Sequence, residues 1–482
     1  MAQCCFSKVS LKGTFYEYWP FGTELYARLL YIKAGDSDVL LAALDTGDTS
    51  RGATEQFRRE VGDMTGIHPD HIWYHELQIH AAPGADTLIG DAISAIAKRV
   101  ADEVNAMKAR MRDFTCEVTE AYAGTRFSYN REQYVHGLGG VTVWAGLQYD
   151  ENGQPYSKDP SRMLLRGYQP DLPVFDEPIY FDNPNDPLAY LFVFKDTNGN
   201  VLGTLSRFAA HPDIAVLFES HGIADYKFNF DWPGYLCEDM EKAFDAPAMY
   251  INGPCANLAM KKGFEGFTTY ETSAAEAKRV GDLLADFLLD ARKRKVTPLG
   301  NPDNCRTARY EIKLPLRDSL PRSHAEWSDE KKAEGEAAAE TAMRNAIDAG
   351  CPAHEIKSLI DDRYHATYMP MYLNRTCMFD DEVLASRMAP VDFNVLQLGD
   401  YLFMGIPGES MVEMTHWMRG TFTGVKTVTL DQVNGYYSYM ATPTSLTLGG
   451  YTYWYSWVGR DAIPTLKEGI VKAMDDFTGC NG

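Results

Sequence analysis

The chain alternates short apolar runs with amphipathic stretches, and that alternation gives the first reading. LYARLLYIKAG and VLLAALDTGDTSRG are apolar runs bounded by turn signals, the pattern of buried strands. TEQFRREVGDMTG follows with helical periodicity and a glycine stop at Gly66, and TLIGDAISAIAKRVADEVNAMKARM repeats apolar residues at three and four spacing. Both predict packed helices. IWYHELQIH predicts a strand across His75 and His80, which would point to opposite faces. Further strands are expected in FTCEVTEAYAGTRFSYNREQYVHG, in LGGVTVWAGLQYDENGQPYS and in LAYLFVFKDTNGNVLGTLSRFAA, with Asn-Gly turns at 152 and 198.

The second half repeats the alternation. DWPGYLCEDMEKAF reads as a helix with Asp231 as N-cap and Pro233 in its first turn, and AMYIN as the strand behind it. SAAEAKRVGDLLADFLLDARKRK predicts a helix whose basic end suits the helix dipole. Residues 323–388, rich in Ala, Glu and Lys, read as a helical insertion. VLQLG and DYLFMGI form a hairpin that empties into Pro407-Gly408-Glu409, where a helix begins. Strands and helices in this order predict an α/β architecture of mixed sheets flanked by helices.

Composition narrows the class. An apolar content of 45% over 482 residues suffices for a large core, and a formal charge of −21 argues against nucleic acid and anionic membrane as partners. The nine cysteines are scattered without CxxC pairs, so they read as free thiols of a reducing compartment. The N-terminus lacks the basic and apolar regions of a signal peptide, and no run approaches membrane-spanning length. The expectation is a cytoplasmic protein acting on a small molecule, without membrane insertion. Self-association is left open.

Candidate chemistry gathers at predicted strand ends. Asp45 closes VLLAAL and is read either as a functional group or as a helix cap. His68 and His71 lie in a Pro-Asp turn and read as solvent-facing; His80, before AAPGA, is better placed for a site than His75. His211 ends LGTLSRFAA and precedes Pro212, which forces it into extended geometry. Arg131 in YNREQY is either a substrate-orienting guanidinium or half of a surface ion pair. Asn252-Gly253-Pro254-Cys255-Ala256-Asn257 is a polar turn that presents a thiol. Glu409, at a strand-to-helix turn, suits a metal ligand, a general base or a helix-stabilising charge. NGYYSYMATPTSLTLGGYTYWYSW is dense in aromatic residues and reads as a pocket wall or core.

These stretches together resemble the catalytic domain of the neutral (non-lysosomal) ceramidase family. LQIHAAPG stands where that family has a THTHSGPG-type segment, YNREQY where it has an Asn-Arg pair, and INGPCANLA where it has a GDVSPN-type turn; FAAHP, DWPGYL, LFMGIPGE and NGYYSY with its following GGY keep the family order. The resemblance implies a zinc-dependent amide hydrolase with zinc held by two histidines, a glutamate and a tyrosine. It carries over to His211, Glu409 and Tyr439 as metal ligands. The first family histidine falls on Gln78, and His80 matches its neighbour, so His80 is implied either as the replacement ligand or as the acid/base. Arg131 is implied to hold substrate, and Cys255 stands near the family's serine. The family's C-terminal immunoglobulin-like domain has no counterpart here, so one catalytic domain over residues 1–482 is expected. The expected activity is metal-dependent hydrolysis of an amide or related C–N bond in a small soluble substrate. The alternatives are a metal-free enzyme with Cys255 as nucleophile and a catalytically degenerate binding protein.

Overall fold

The computed structural model describes residues 1–135, 139–142, 184–215, 226–261, 269–326, 328–376 and 379–479. The expected Asn-Gly turn at 152 lies outside them. The larger sheet has nine strands among the described residues, in the order Ala248–Asn252, Val201–Phe208, Leu188–Asp196, Arg112–Tyr122, Gln3–Ser10, Tyr26–Ala34, Ser37–Leu44 and Ile72–Glu76, with Thr297–Pro298 added beside Arg112–Tyr122. Most pairs are antiparallel, but each outer pair is parallel and is connected through a helix: Arg51–Thr65 at one edge, Asp231–Phe244 at the other. The two edges approach each other, because Asn252 N–H donates to His75 Nε2 at 2.9 Å. The edge strands are thereby tied across one face instead of being left open.

A second sheet orders Cys305–Pro315, Met388–Leu398, Tyr401–Gly405 and Lys426–Leu430; its last pair is parallel, crossing over through helix Val412–Thr421. Leu396, Leu398, Tyr401 and Phe403 of this sheet join the core of the larger one, and Phe192 packs edge-on against Tyr401 at 5.3 Å. The helices Asp329–Asp348, Ala353–Thr376 and Asp381–Ser386 leave between two strands that are antiparallel neighbours. The first is largely exposed, burying only Met343 and Ala346. The second meets the aromatic segment, where Trp454 Nε1–H donates to Asp361 at 2.7 Å. Among the described residues, no helix is long and apolar enough to cross a membrane.

Local chemistry explains where elements stop. Ser50 Oγ accepts from Ala53 N–H at the start of helix Arg51–Thr65, and Gly66 closes it at φ +76°, as its sequence predicts. Helix Asp231–Phe244 departs from expectation, since Phe230 is its N-cap. Asp231 itself takes φ +52°, and its carboxylate accepts from Trp232, Ile214 and Ala215 N–H groups. It therefore ties the helix start to the segment following His211. Asp45 is neither a site residue nor a cap: both of its carboxylate oxygens are within 2.7 Å of Arg28 Nη1 in a fully buried pair. Such a pair costs desolvation and is retained only with this close geometry.

Candidate active site

The expected strand over residues 72–80 ends at Glu76, and the chain then turns through Gln78 at φ +59°. This turn takes Gln78 and His80 off the strand's alternation, which is why the opposite-face argument does not decide their placement. His80 N–H donates to Pro212 O at 3.1 Å, holding the turn against the segment that carries His211. His75 remains on the strand, fully buried, and serves the tie to Asn252. His68 is exposed, as its turn predicts, whereas His71 is half-buried against Asp38 at 3.2 Å.

His211 and Glu409 come from beyond the carboxyl ends of strands of the two large sheets, the usual location for sites in such folds, whereas Arg131 follows Ser128–Asn130 and Tyr439 opens Tyr439–Met440, each in a separate two-stranded sheet. His211 follows Val201–Phe208; its N–H donates to Leu258 O at 3.0 Å and its carbonyl accepts from Trp232 Nε1 at 3.2 Å. Nδ1 lies 2.8 Å from Cys255 O. A carbonyl only accepts, so Nδ1 donates this hydrogen bond and Nε2 is left to face Glu409. Glu409 follows Tyr401–Gly405 through Gly408, which adopts φ +76° with an added Cβ only 2.9 Å from Tyr437 Cβ. Glu409 pairs in register with Tyr439 across a short parallel bridge, so one backbone contact sets both side chains.

The centre of the site is one compact contact set. His211 Nε2 is 3.0 Å from Glu409 Oε2. Gln78 Nε2 and Tyr436 Oη donate to Glu409 Oε1 at 3.0 and 2.9 Å. Arg131 Nη2 donates to Tyr439 Oη at 2.7 Å and lies 3.2 Å from His211 Nε2. Its guanidinium is anchored on Ala256 O by Nε at 3.0 Å and Nη2 at 2.6 Å. Arg131 is thus a buried member of the site and not half of a surface pair. His211, Glu409, Arg131 and Tyr439 are all at most 2% exposed.

Burial alone would raise the Glu409 carboxyl, but the adjacent His211, Arg131 and Tyr439 hold it below the usual range, so it is ionised. Burial would lower Arg131, yet Tyr439, Tyr451, Asp213 and Glu409 raise it, leaving a permanent cation. Burial, followed by the charges of His211 and Arg131, brings His80 down to about 4, so the ring is neutral near pH 7. Cys255 is fully buried, with its N–H on Asp431 at 3.0 Å and its sulfur 3.4 Å from Asn252 Nδ2. Burial, then Asp431 and Glu409, push its thiol well up, so it is held as a neutral thiol.

The donor chemistry fits a metal ion of mixed N and O ligation. Glu409 Oε2 is buried without a hydrogen bond of ordinary geometry, and His211 Nε2 lies 3.0 Å from it. With Tyr439 Oη these make three protein donors, the number that leaves an open position at a catalytic zinc. Among the described residues no three His, Cys, Asp or Glu side chains could hold an ion by themselves. The third donor here is a phenol, and the Arg131 cation touches two of the three.

A cavity of about 530 Å³ adjoins this cluster: Gln78 and Tyr436, which hydrogen-bond to Glu409, line it together with His80, while His211, Glu409, Arg131 and Tyr439 themselves do not. Tyr436, the bridge between Glu409 and the cavity, was not singled out from the sequence; its signal was its place in NGYYSY, two residues after Asn434. The His80 and His211 ring centroids are 5.7 Å apart, so His80 connects the cavity to the buried groups.

No protein-family model matches the chain, and no curated protein matches it in sequence. Solved structures do match. Neutral ceramidase from Pseudomonas aeruginosa superposes with a TM-score of 0.63 at 13% identity, covering 97% of this chain and 73% of that one. A ceramidase complexed with C2 gives a TM-score of 0.59 at 14% identity, covering 96% of this chain and 73% of the other. The chain has a neutral-ceramidase-like α/β fold.

Proposed function

We propose that this protein is a metal-dependent hydrolase that cleaves an amide or related C–N bond in a small soluble substrate. The observation that carries the proposal is the meeting of His211, Glu409, Tyr439 and Arg131 in one buried contact set, which Gln78 and Tyr436 join to a cavity that His80 also lines. The ceramidase-like fold supports hydrolytic chemistry by analogy. His211, Glu409 and Tyr439 would hold the ion, zinc being the choice that the fold suggests. When bound, such an ion supplies a polarised water or carbonyl near neutral pH.

The chain's own groups have separate roles in this reading. Arg131 presents a fixed positive charge where a carbonyl oxygen gains negative charge, and its anchoring on Ala256 O means that little reorganisation is needed. His80, neutral and lining the cavity, receives a proton and returns it to the leaving nitrogen. Gln78 and Tyr436 fix the Glu409 carboxylate through its other oxygen. Cys255 acts through its backbone carbonyl, which fixes the His211 ring.

Elemental analysis of protein purified without added metal, paired with a screen of small amides, tests this reading. About one metal per chain, lost together with amide hydrolysis in Glu409→Gln, is the expected result. Full hydrolysis in metal-stripped protein, or a metal-bearing protein inert to every amide, would overturn it.

A further inference from the structure

The helical insertion is more than a surface excursion, because its helix Ala353–Thr376 carries a buried ion pair. Lys357 and Asp361, one turn apart, are 6% and 4% exposed. Both charges are turned onto one short stretch of backbone. Lys357 Nζ pairs with Asp361 and donates to Leu448 O at 2.9 Å. Asp361 Oδ1 accepts from Gly450 N–H at 3.2 Å and from Trp454 Nε1 at 2.7 Å. Between these contacts Gly449 takes φ +80°, and a Cβ there would collide with the Asp361 carboxylate and stand 2.6 Å from Lys357 Nζ. The stretch therefore lies directly on the pair.

What this stretch carries next is Tyr451. Its ring stands edge-on to Tyr439 at 5.4 Å, and the Arg131 guanidinium, which donates to Tyr439 Oη, lies over it at 5.6 Å. Ser445 and Thr452, on either side of the held residues, donate to Glu132, the chain neighbour of Arg131, at 3.0 and 2.8 Å. We infer that Lys357 and Asp361 are positioning residues of the active site. The helix holds residues 448–450, the held stretch fixes Tyr451, and Tyr451 keeps Arg131 and Tyr439 where the Tyr439 oxygen can serve a metal ion. This inference rests on the metal-dependent reading for the ion, whereas the clamp stands on the contacts alone. Removing the pair changes no metal ligand, so its effect on the ion is one of geometry.

The test measures zinc affinity by competition with a chromophoric chelator in wild type, Lys357→Met/Asp361→Leu, Met343→Ala and Glu409→Gln. Replacing both charges leaves no unpaired ion in the interior. Met343, buried on Asp329–Asp348, is the control for a plain loss of stability. Zinc affinity should weaken about tenfold in the pair variant and stay within about twofold of wild type in Met343→Ala, although the denaturation midpoint of the latter falls. Gly449→Ala lifts the same stretch off an intact ion pair and should weaken zinc to a similar degree; it decides the matter if the pair variant does not fold. Wild-type affinity in the pair variant and in Gly449→Ala, with the ion lost in Glu409→Gln, overturns the inference and leaves the metal reading standing. An equal loss in Met343→Ala makes the effect one of stability and also overturns the inference. Wild-type affinity in Glu409→Gln, or no zinc bound by the wild type, removes the metal reading and the inference with it.

Discussion

His211 and Glu409 meet with Nε2 and Oε2 3.0 Å apart, each already fixed from behind: the ring by Cys255 O, the carboxylate by Gln78 and Tyr436. Neither side chain can turn away without breaking a buried hydrogen bond, so the pair is preorganised. Its setting suggests a gain of function as well as losses.

Gln78 contacts the same carboxylate from the position where an imidazole would add a donor. Its φ of +59° is one that histidine tolerates better than most residues. Gln78→His should tighten zinc binding about tenfold or more, measured by competition with a chromophoric chelator. An unchanged zinc affinity would place the ion away from Glu409.

Arg131 is anchored by a planar fork that lysine cannot reproduce. Arg131→Lys should lower kcat about 10- to 100-fold with a smaller change in KM, because the lost contact matters most as charge develops. A variant with wild-type kcat would remove Arg131 from the chemistry.

Gly408 sits at φ +76°, and a Cβ there would press on Tyr437. Gly408→Ala should cost about 2 kcal/mol or more and displace Glu409, seen together as a lower denaturation midpoint and a loss of bound metal. Wild-type stability would show that this turn has slack.

Glu132, beside the site, is fully buried, accepting from Ser445 Oγ at 3.0 Å and Thr452 Oγ1 at 2.8 Å. Burial, then the charge of Glu413, pushes its carboxyl up to about 7, against the lowering effect of those hydroxyls. The folded value exceeds the unfolded one, about 4.3, so the fold favours the protonated form. Its contribution to stability is complete below about pH 4.3 and is lost as pH rises through about 7, on the order of 3 kcal/mol. Glu132→Gln should flatten the stability profile between pH 5 and 8 and raise the melting temperature most at pH 8. A parallel profile for variant and wild type would refute this assignment.

Cys255 is 0% exposed and held as a thiol. Iodoacetamide should leave it unmodified in the folded protein by peptide mass mapping, and Cys255→Ala should keep activity within about threefold, at a cost of about 1 kcal/mol for the small cavity. Inactivation in step with alkylation of Cys255 would restore it as the nucleophile.

Sequence alone determined the local structure and much of the cast. Apolar runs and period-3.6 patterning placed Tyr26–Ala34, Arg51–Thr65, Asp91–Lys108 and Ala248–Asn252, because those signals depend on neighbours in the chain. The strand-end rule and the ordered motifs brought forward His80, Arg131, His211, Glu409 and Tyr439. Tertiary structure decided what each of them meets. The same carboxylate class became a structural ion pair at Asp45 and a site group at Glu409, since Arg28 stands opposite one and His211 opposite the other. Only the folded chain puts Gln78 and Tyr436 on Glu409, buries Cys255 and opens a cavity beside Trp19. Burial and partner charge come from segments far apart in sequence, and no local pattern encodes which of them will pack together.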